Sequence, residues 1–163
     1  MIQAASIADN ISDVLVKIIC FTQLRRCVLH ENLGKADKPG FIPQDMPVRE
    51  FADALNRAVA EHLQHHRLLF RDTPNVKFGP NNTMQVWPVA DPQAHALLGT
   101  NRDEYTELQI SKLLENCLNR RVAQELLRQK CGARIDLVDE GLGKSRVDGH
   151  PSGDLPAQRE TTD

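Results

Sequence analysis

The sequence predicts a mainly α-helical protein with a long helix at each end of the chain. The two helices are expected to pair as a coiled coil, with a small irregular, partly β middle region between them. Two observations lead to this prediction. Apolar residues recur every three or four positions over residues 1–33 and again over residues 101–140. Between residues 71 and 88 this period gives way to short alternating segments around a turn.

The bulk composition limits the kinds of protein that the chain can be. With 163 residues it is long enough for one domain with a modest core. Its formal net charge of −2, with charges mixed along the chain, argues against nucleic-acid binding by phosphate neutralisation. No run is long and apolar enough for a membrane span, and the start lacks the pattern of a cleaved signal peptide. We therefore expect no nucleic-acid partner and no direct membrane insertion.

The first predicted helix covers residues 1–33. Its apolar side follows heptad spacing and is interrupted only by Arg25; it consists of Ile7, Ile11, Val14, Ile18, Phe21 and Val28. A single helix of this kind is marginal in water and needs a partner for its apolar side. Gly34 is placed to end the helix, and Pro39 prevents its continuation. Residues 34–47 are therefore predicted to form a rigid Pro/Gly connector.

The middle region, residues 48–100, is predicted to contain a helix, a hairpin and a short helix. Asp45 and Pro47 resemble a helix start, and the helix is expected to end near Arg67. Residues 76–78 and 84–86 alternate about a turn at residues 79–82, which predicts a two-stranded hairpin lying on a helix. Asp91 followed by Pro92 predicts the capped start of a short helix that reaches Gly99.

The last predicted helix covers residues 101–140 and begins with a capping box formed by Asn101 and Glu104. Its broad apolar side consists of Ile110, Leu113, Leu114, Cys117, Leu118, Val122, Leu126 and Leu127. Residues 141–163 are rich in Gly, Pro and mixed charge and poor in apolar residues. They are predicted to form a disordered tail.

Four cysteines occur at spacings that put each pair on one face of its helix: Cys20 with Cys27, and Cys117 with Cys131. There is no Cys-x-x-Cys motif, so a zinc or redox site is poorly supported. The sequence favours buried free thiols that act as small hydrophobic residues.

Two stretches carry a resemblance to a known family. Asn32-Leu33-x-x-Ala36-Asp37-x-Pro39-Gly40-Phe41 resembles the Asn-Ile-Ala-Asn-Ala-Asp-Thr-Pro-Gly-Tyr signature of bacterial flagellar rod and hook proteins. Asp45 also falls where that family tends to carry an Asp. Near the other end, Glu107, Lys112-Leu113-Leu114-Glu115-Asn116 and Leu118 look like the closing helix of the family. The chain is identified as a divergent member of the proximal-rod FlgB family of flagellar basal-body rod proteins.

The resemblance implies a structural role without catalysis. Family members assemble through their terminal helices into the proximal rod, which transmits torque, and the residues quoted above would be its assembly residues. The implied partners are further copies, other rod proteins, the membrane-embedded MS-ring and rod-adaptor region, and the flagellar type III export apparatus. The implied location is the basal-body rod in the periplasm after export, and the cytoplasm before it.

Two other readings remain open from the residues themselves. The chain could be a non-flagellar helical adaptor whose two amphipathic ends pair within the monomer. It could also be a helical metal-binding protein, because His62, His65 and His66 recur at helical spacing beside Glu61. No nucleophile–base order, phosphate loop or paired acidic site stands out. We therefore expect no enzymatic activity and no cofactor.

Overall fold

The computed structural model describes residues 2–131, with side-chain burial for residues 10–130. The described chain is mainly helical, which confirms the predicted fold class at this level. It consists in order of α1 (Ile2–Gly34), β1 (Gln44–Asp45), α2 (Val48–His65), β2 (Val76–Phe78), β3 (Met84–Val86), β4 (Val89–Ala90), α3 (Pro92–Thr100) and α4 (Arg102–Cys131). The predicted end of the last helix near residue 140 and the tail at 141–163 lie outside the described residues.

The middle region closely follows the expected elements. Strands β2 and β3 pair antiparallel at the positions expected for the hairpin, and Asn81 and Asn82 adopt left-handed backbone angles in its turn. The side chain of Asp91 accepts a hydrogen bond from the backbone N–H of Ala94 at 3.1 Å and so caps α3. Asn101 accepts one from the N–H of Glu104 at 3.2 Å at the start of α4. Local hydrogen-bonding chemistry therefore sets these element starts.

The connector differs from the expected rigid turn in one respect, because part of it belongs to a sheet. Its last residues form β1, which pairs antiparallel with β4, with Gln44 opposite Ala90 and Asp45 opposite Val89. Asp45 does not cap α2, which has no side-chain cap. Its carboxylate instead accepts a hydrogen bond from the N–H of Met46 at 2.8 Å. The connector is thus held to the segment that precedes α3.

A hydrophobic core lies where α1, α2 and the β2–β3 hairpin meet. The rings of Phe21 and Phe51 stack with centroids 4.0 Å apart. The buried members of this core are Phe21, Met46, Phe51, Leu55 and Val76, and Val14, Ile18 and Val28 of α1 pack against it. Hence the apolar side predicted for α1 packs largely on the middle region.

Helices α1 and α4 lie side by side and run in opposite directions. Hydrogen bonds join Thr22 to Asn116 and Asn32 to Gln109, so residue numbers rise along α1 as they fall along α4. The α1 residues that face α4 are displaced around the helix from the apolar side predicted for pairing. They include Thr22, Arg25 and Asn32, which are all buried. The contact between the two terminal helices is therefore polar over much of its length.

Most of the apolar side predicted for α4 is exposed in the described chain. Leu114, Leu118 and Val122 are 62%, 63% and 58% exposed, and Ile110 and Leu126 are also exposed. The buried positions of α4 are Tyr105, Gln109, Asn116, Ala123 and Leu127. The reason is that buried charges on the connector and on the segment before α3 require the polar side of α4 as their partner, as described below.

The prediction of buried thiols is wrong for the three cysteines whose burial is described. Cys20, Cys27 and Cys117 are free and exposed, while the burial of Cys131 lies outside the described residues. Cys20 and Cys27 share a side of α1 with Leu24, which is also exposed. That side faces away from both the hydrophobic core and α4. Among the described helices, none has the length and apolar character needed to span a bilayer.

Candidate functional site

The centre of the contact between α1 and α4 is a buried cluster of charges. Arg25 of α1 donates from Nε and Nη2 to the two carboxylate oxygens of Asp45, at 2.8 and 3.0 Å. Lys112 of α4 donates from Nζ to Asp45 at 3.0 Å and also to Asp91. Two cations and two carboxylates are thus joined in one network. We call Arg25, Asp45, Asp91 and Lys112 the charge cluster.

The charge cluster joins four segments of the chain that are distant in sequence. Arg25 comes from α1, Asp45 from β1, Asp91 from the cap of α3, and Lys112 from α4. The side chains of Arg25 and Asp45 are only 6% and 13% exposed. Pairing is required at this depth because an unpaired buried charge costs several kcal/mol. The cluster therefore explains why α4 turns a polar side inward.

The pKa values within the cluster favour its charged form. Burial raises the pKa of Asp45, but hydrogen bonds and charges from Arg25 and Lys112 outweigh it and bring the pKa below its ordinary value. Burial lowers the pKa of Lys112, but Asp91 and Asp45 outweigh it and bring the pKa above its ordinary value. Both groups stay ionised around neutral pH. Neither has a pKa near 7, which a general acid or base would need.

A second group of buried polar residues surrounds Asn32, the first residue of the signature stretch. Its Nδ2 donates to the backbone oxygen of Gln44 at 2.7 Å and to Oε1 of Gln109 at 2.9 Å. Its Oδ1 accepts from the backbone N–H of Gln44 at 3.1 Å. The Tyr105 hydroxyl donates to the backbone oxygen of Asn32 at 2.9 Å. The side-chain amide of Asn32 therefore bonds the backbone of Gln44 in β1 as the backbone of a neighbouring strand would.

Asn116 and Glu115 extend these contacts along α4. Asn116 is buried and donates from Nδ2 to the backbone oxygen of Thr22 at 2.7 Å. Glu115 is exposed, with its carboxylate 3.8 Å from Nη1 of Arg25. The charge cluster, the Asn32 group and Asn116 together form what we call the polar seam. It brings together Asn32, Asp45, Lys112 and Asn116 of the predicted assembly residues, and Glu115 lies exposed beside it.

The remaining signature residues of the connector lie at the surface or near it. Leu33, Ala36 and Phe41 are half-buried, and Asp37, Pro39 and Gly40 are exposed. Asp37 pairs with Arg102 at the start of α4. Gly40 has a φ of +72°, a left-handed conformation that suits glycine. This part of the signature therefore shapes the turn. Only Asn32 and Asp45 of this stretch belong to the polar seam.

The other predicted residues of α4 lie outside the polar seam. Glu107 and Leu118 are exposed, and Leu113 is half-buried. Glu107 and Leu118 belong to the side of α4 that faces away from Asn32 and Asp45, and Leu113 lies beside a groove between α1 and α4. They contribute surface to the helix and no contact to the charge cluster.

The histidines considered as metal ligands lie at the end of α2. The rings of His62 and His66 are perpendicular, with centroids 6.5 Å apart, and His66 closes the helix in a left-handed conformation. His62 Nδ1 lies 3.5 Å from the Asn10 amide. Within residues 2–131 no three His, Cys, Asp or Glu side chains are arranged to hold a metal ion.

Several residues of the polar seam had no individual sequence signal for this role. Arg25 stood out only as an interruption of an apolar pattern, and Asp91 only as a helix cap. Gln109 and Tyr105 were not singled out, although both lie on the polar side of α4 at helical spacing with Lys112 and Asn116. A search for polar residues at heptad spacing would have found this side of the helix.

The polar seam is suited to holding segments in a fixed register. Its acceptors are occupied by partners from other segments, and the pKa shifts of Asp45 and Lys112 keep these two groups ionised. Comparisons with protein-family models, with curated proteins and with solved structures find no match to this chain.

Proposed function

We propose that this protein is a self-assembling structural subunit of the bacterial flagellar basal-body proximal rod and transmits torque through its packed terminal helices. One observation carries the proposal. Four of the residues that resemble the rod-protein signature, Asn32 and Asp45 from one stretch and Lys112 and Asn116 from the other, meet in the polar seam. Asp45 and Lys112, for example, lie 67 residues apart in sequence and are joined by a hydrogen bond of 3.0 Å.

The exposed side of α4 supports an assembly role. Leu114, Leu118 and Val122 form part of a row of large apolar residues at four-residue spacing on its surface. Covering a fully exposed side chain of this size contributes about 1.5–3 kcal/mol. A row of this kind on a soluble surface is typical of a contact with another chain. In the proposed rod, this row packs against helices of neighbouring subunits as part of a coiled-coil inner layer.

The polar seam supplies what such an assembly requires of its subunits. A helical tube is built from repeated heterologous contacts, so every subunit must present the same surfaces in the same relative positions. A buried network with directional partners tolerates a shift of register poorly, because a shift would leave charges such as Arg25 and Lys112 unpaired. The seam therefore holds α1 and α4 in the one register that presents the apolar row of α4.

A deletion strain tests the proposal directly. Chromosomal deletion of the coding sequence is expected to abolish swimming and to leave basal bodies without a rod when they are imaged. Expression of the wild-type chain should restore both. A Leu118→Glu chain, which places a charge in the apolar row, should restore neither while accumulating to the same level. Normal swimming of the deletion strain would contradict the proposal.

A second candidate function is a helical adaptor that acts as a folded monomer. The observation that favours it is the polar seam itself, since Asn32 and Asn116 find their partners within one chain. Limited proteolysis at several protein concentrations separates the two functions. Protection of α1 and α4 should be independent of concentration for an adaptor, whereas for a rod subunit it should rise on assembly.

A further inference from the structure

A groove of about 310 Å³ lies between α1 and α4. Its floor is apolar and is formed by Ile110, Leu113, Leu114 and Cys117 of α4. The floor residues lie at spacings of three and four, so they form a strip along two turns of α4, roughly 10 Å long. The groove is thus long enough to receive two or three side chains from one face of an incoming helix.

The rim of this groove carries basic groups from both helices. Arg26 and His30 come from α1, and Arg120 comes from α4. Arg26 and His30 are exposed, and Arg120 is half-buried and donates to Gln23. None of the described residues that line the groove is acidic. The rim therefore attracts negative charge, although the whole chain carries a net charge of −2.

We propose that this groove is a docking site for an acidic amphipathic helix of a partner protein. Leucine-sized side chains of that helix would enter between Ile110, Leu114 and Cys117, and its flanking carboxylates would pair with Arg26 and Arg120. Charge complementarity selects the partner, because a basic flank would be repelled at the same positions. The inference deepens the proposed assembly role by stating the chemistry of the partner, and it rests on that role for its biological meaning.

A concave site favours a helix over a lipid surface as the occupant. Proteins that lie on anionic membranes present a convex apolar face with basic flanks, which enters the boundary between headgroups and acyl chains. Here Leu113 is half-buried on the floor, and the cations stand on two different helices on either side of it. A flat bilayer would touch only the exposed Ile110 and Leu114 and would not reach Leu113, whereas side chains of a helix can enter the groove.

Two matched synthetic peptides test the inference on the full-length chain. Each is a fluorescent helix of about 18 residues, or five turns, with leucine on one face; its flanks carry glutamate in one peptide and lysine in the other. Fluorescence anisotropy is expected to give at least about tenfold tighter binding of the glutamate peptide. Arg26→Glu should reduce that preference at least about tenfold, because it reverses the charge of one rim. Arg49→Glu, an exposed change of equal charge on α2, should leave it unaltered.

A second variant tests the apolar floor without a change of charge. Leu114→Gln removes apolar surface from an exposed part of the floor and should weaken binding of the glutamate peptide at least about tenfold while circular dichroism stays unchanged. Equal affinity for the two peptides, or binding of neither at about 100 μM, would overturn the inference. So would binding to phosphatidylglycerol vesicles without binding to the peptide. A swimming deletion strain would instead reject the rod role and leave the peptide result standing.

Discussion

The guanidinium of Arg25 binds both oxygens of Asp45, at 2.8 and 3.0 Å, across the boundary between α1 and β1. This bidentate pair has a preferred planar geometry, so it sets both the distance and the angle between its two segments. Lys112 then binds the same carboxylate from α4. Asp45 of β1 therefore links α1 to α4, the first and last helices of the described chain. In this way a strand of two residues fixes the position of two long helices.

Removal of Lys112 should destabilise the fold strongly. Lys112→Ala leaves Asp91 and part of the charge of Asp45 without a buried partner, which costs about 3–5 kcal/mol. Lys35→Ala is the matched control, because Lys35 pairs with Glu31 on the exposed surface of α1. That change should cost less than about 1 kcal/mol. Urea unfolding followed by circular dichroism measures both, and similar costs for the two lysines would show that the charge cluster contributes little.

Stability should fall in acid through Asp45. The pKa of Asp45 is lower in the folded chain than its ordinary value of 3.8, so the unfolded chain binds the proton more readily. The contribution is therefore complete above the unfolded pKa and is lost as the pH falls through the folded pKa. The free energy of unfolding, measured from neutral pH into acid, should decline less steeply for Asp45→Asn than for the wild type. Parallel curves would contradict the pKa shift.

Two buried amides should differ in their contribution to stability. Asn32→Leu leaves the backbone N–H and carbonyl of Gln44 without their side-chain partner, so it should cost roughly 2–4 kcal/mol. Gln109→Leu removes one acceptor from Asn32, but Asn32 keeps its bonds to Gln44. The same change also removes the buried Nε2 of Gln109, which has no partner in the described chain. Its cost should stay below about 1 kcal/mol. Thermal unfolding of both variants provides the measurement, and the opposite order would refute the assigned partners.

Gly34 and Gly40, the two glycines of residues 34–47, should respond in opposite directions to substitution by alanine. Gly34 belongs to α1 and an added Cβ there meets open space, so Gly34→Ala should stabilise by about 0.5–1 kcal/mol. Gly40 also has open space, but its φ of +72° disfavours a side chain. Gly40→Ala should therefore destabilise by about 1–2 kcal/mol. Equilibrium unfolding measures the change in stability of both variants. If steric space alone decided the outcome, the two substitutions would have the same effect.

Assembly should depend on the exposed row of α4 without any change in the folded monomer. Leu118→Glu alters a side chain that is 63% exposed, so the monomer should lose less than about 0.5 kcal/mol of stability. Leu63→Glu is the control, because Leu63 is 74% exposed on α2, away from α4. Sedimentation should detect weaker self-association for Leu118→Glu alone. If both variants assemble like the wild type, the row is not an assembly surface.

Local features of the fold were accessible from the sequence. The strands at residues 76–78 and 84–86 coincide with the alternating segments, and Asp91 and Asn101 stand at the helix starts where capping chemistry places them. The pairing of β1 with β4 was not accessible. Each of these strands has two residues, and neither shows a periodic pattern that could predict a partner.

The candidate site was accessible only in part. Asn32, Asp45, Lys112 and Asn116 were chosen by resemblance, and the fold brings them into one seam. In the sequence, Arg25 is only an interruption of an apolar pattern, although it binds both carboxylate oxygens of Asp45. Heptad spacing identifies residues that can face a neighbouring helix, but it does not identify which of several faces will do so.

By itself, the sequence determined where the helices and hairpin lie and how α3 and α4 begin, because caps, turns and periodicity act over a few residues. The tertiary structure decided which side of each helix is buried. The apolar side of α1 went to the middle region, and the apolar row around Leu118 stayed exposed. The physical reason is that the buried carboxylates of Asp45 and Asp91 must meet cations, and Lys112 stands on the opposite side of α4. Because an unpaired buried carboxylate costs several kcal/mol, α4 turns Lys112 inward and leaves the row around Leu118 on its surface.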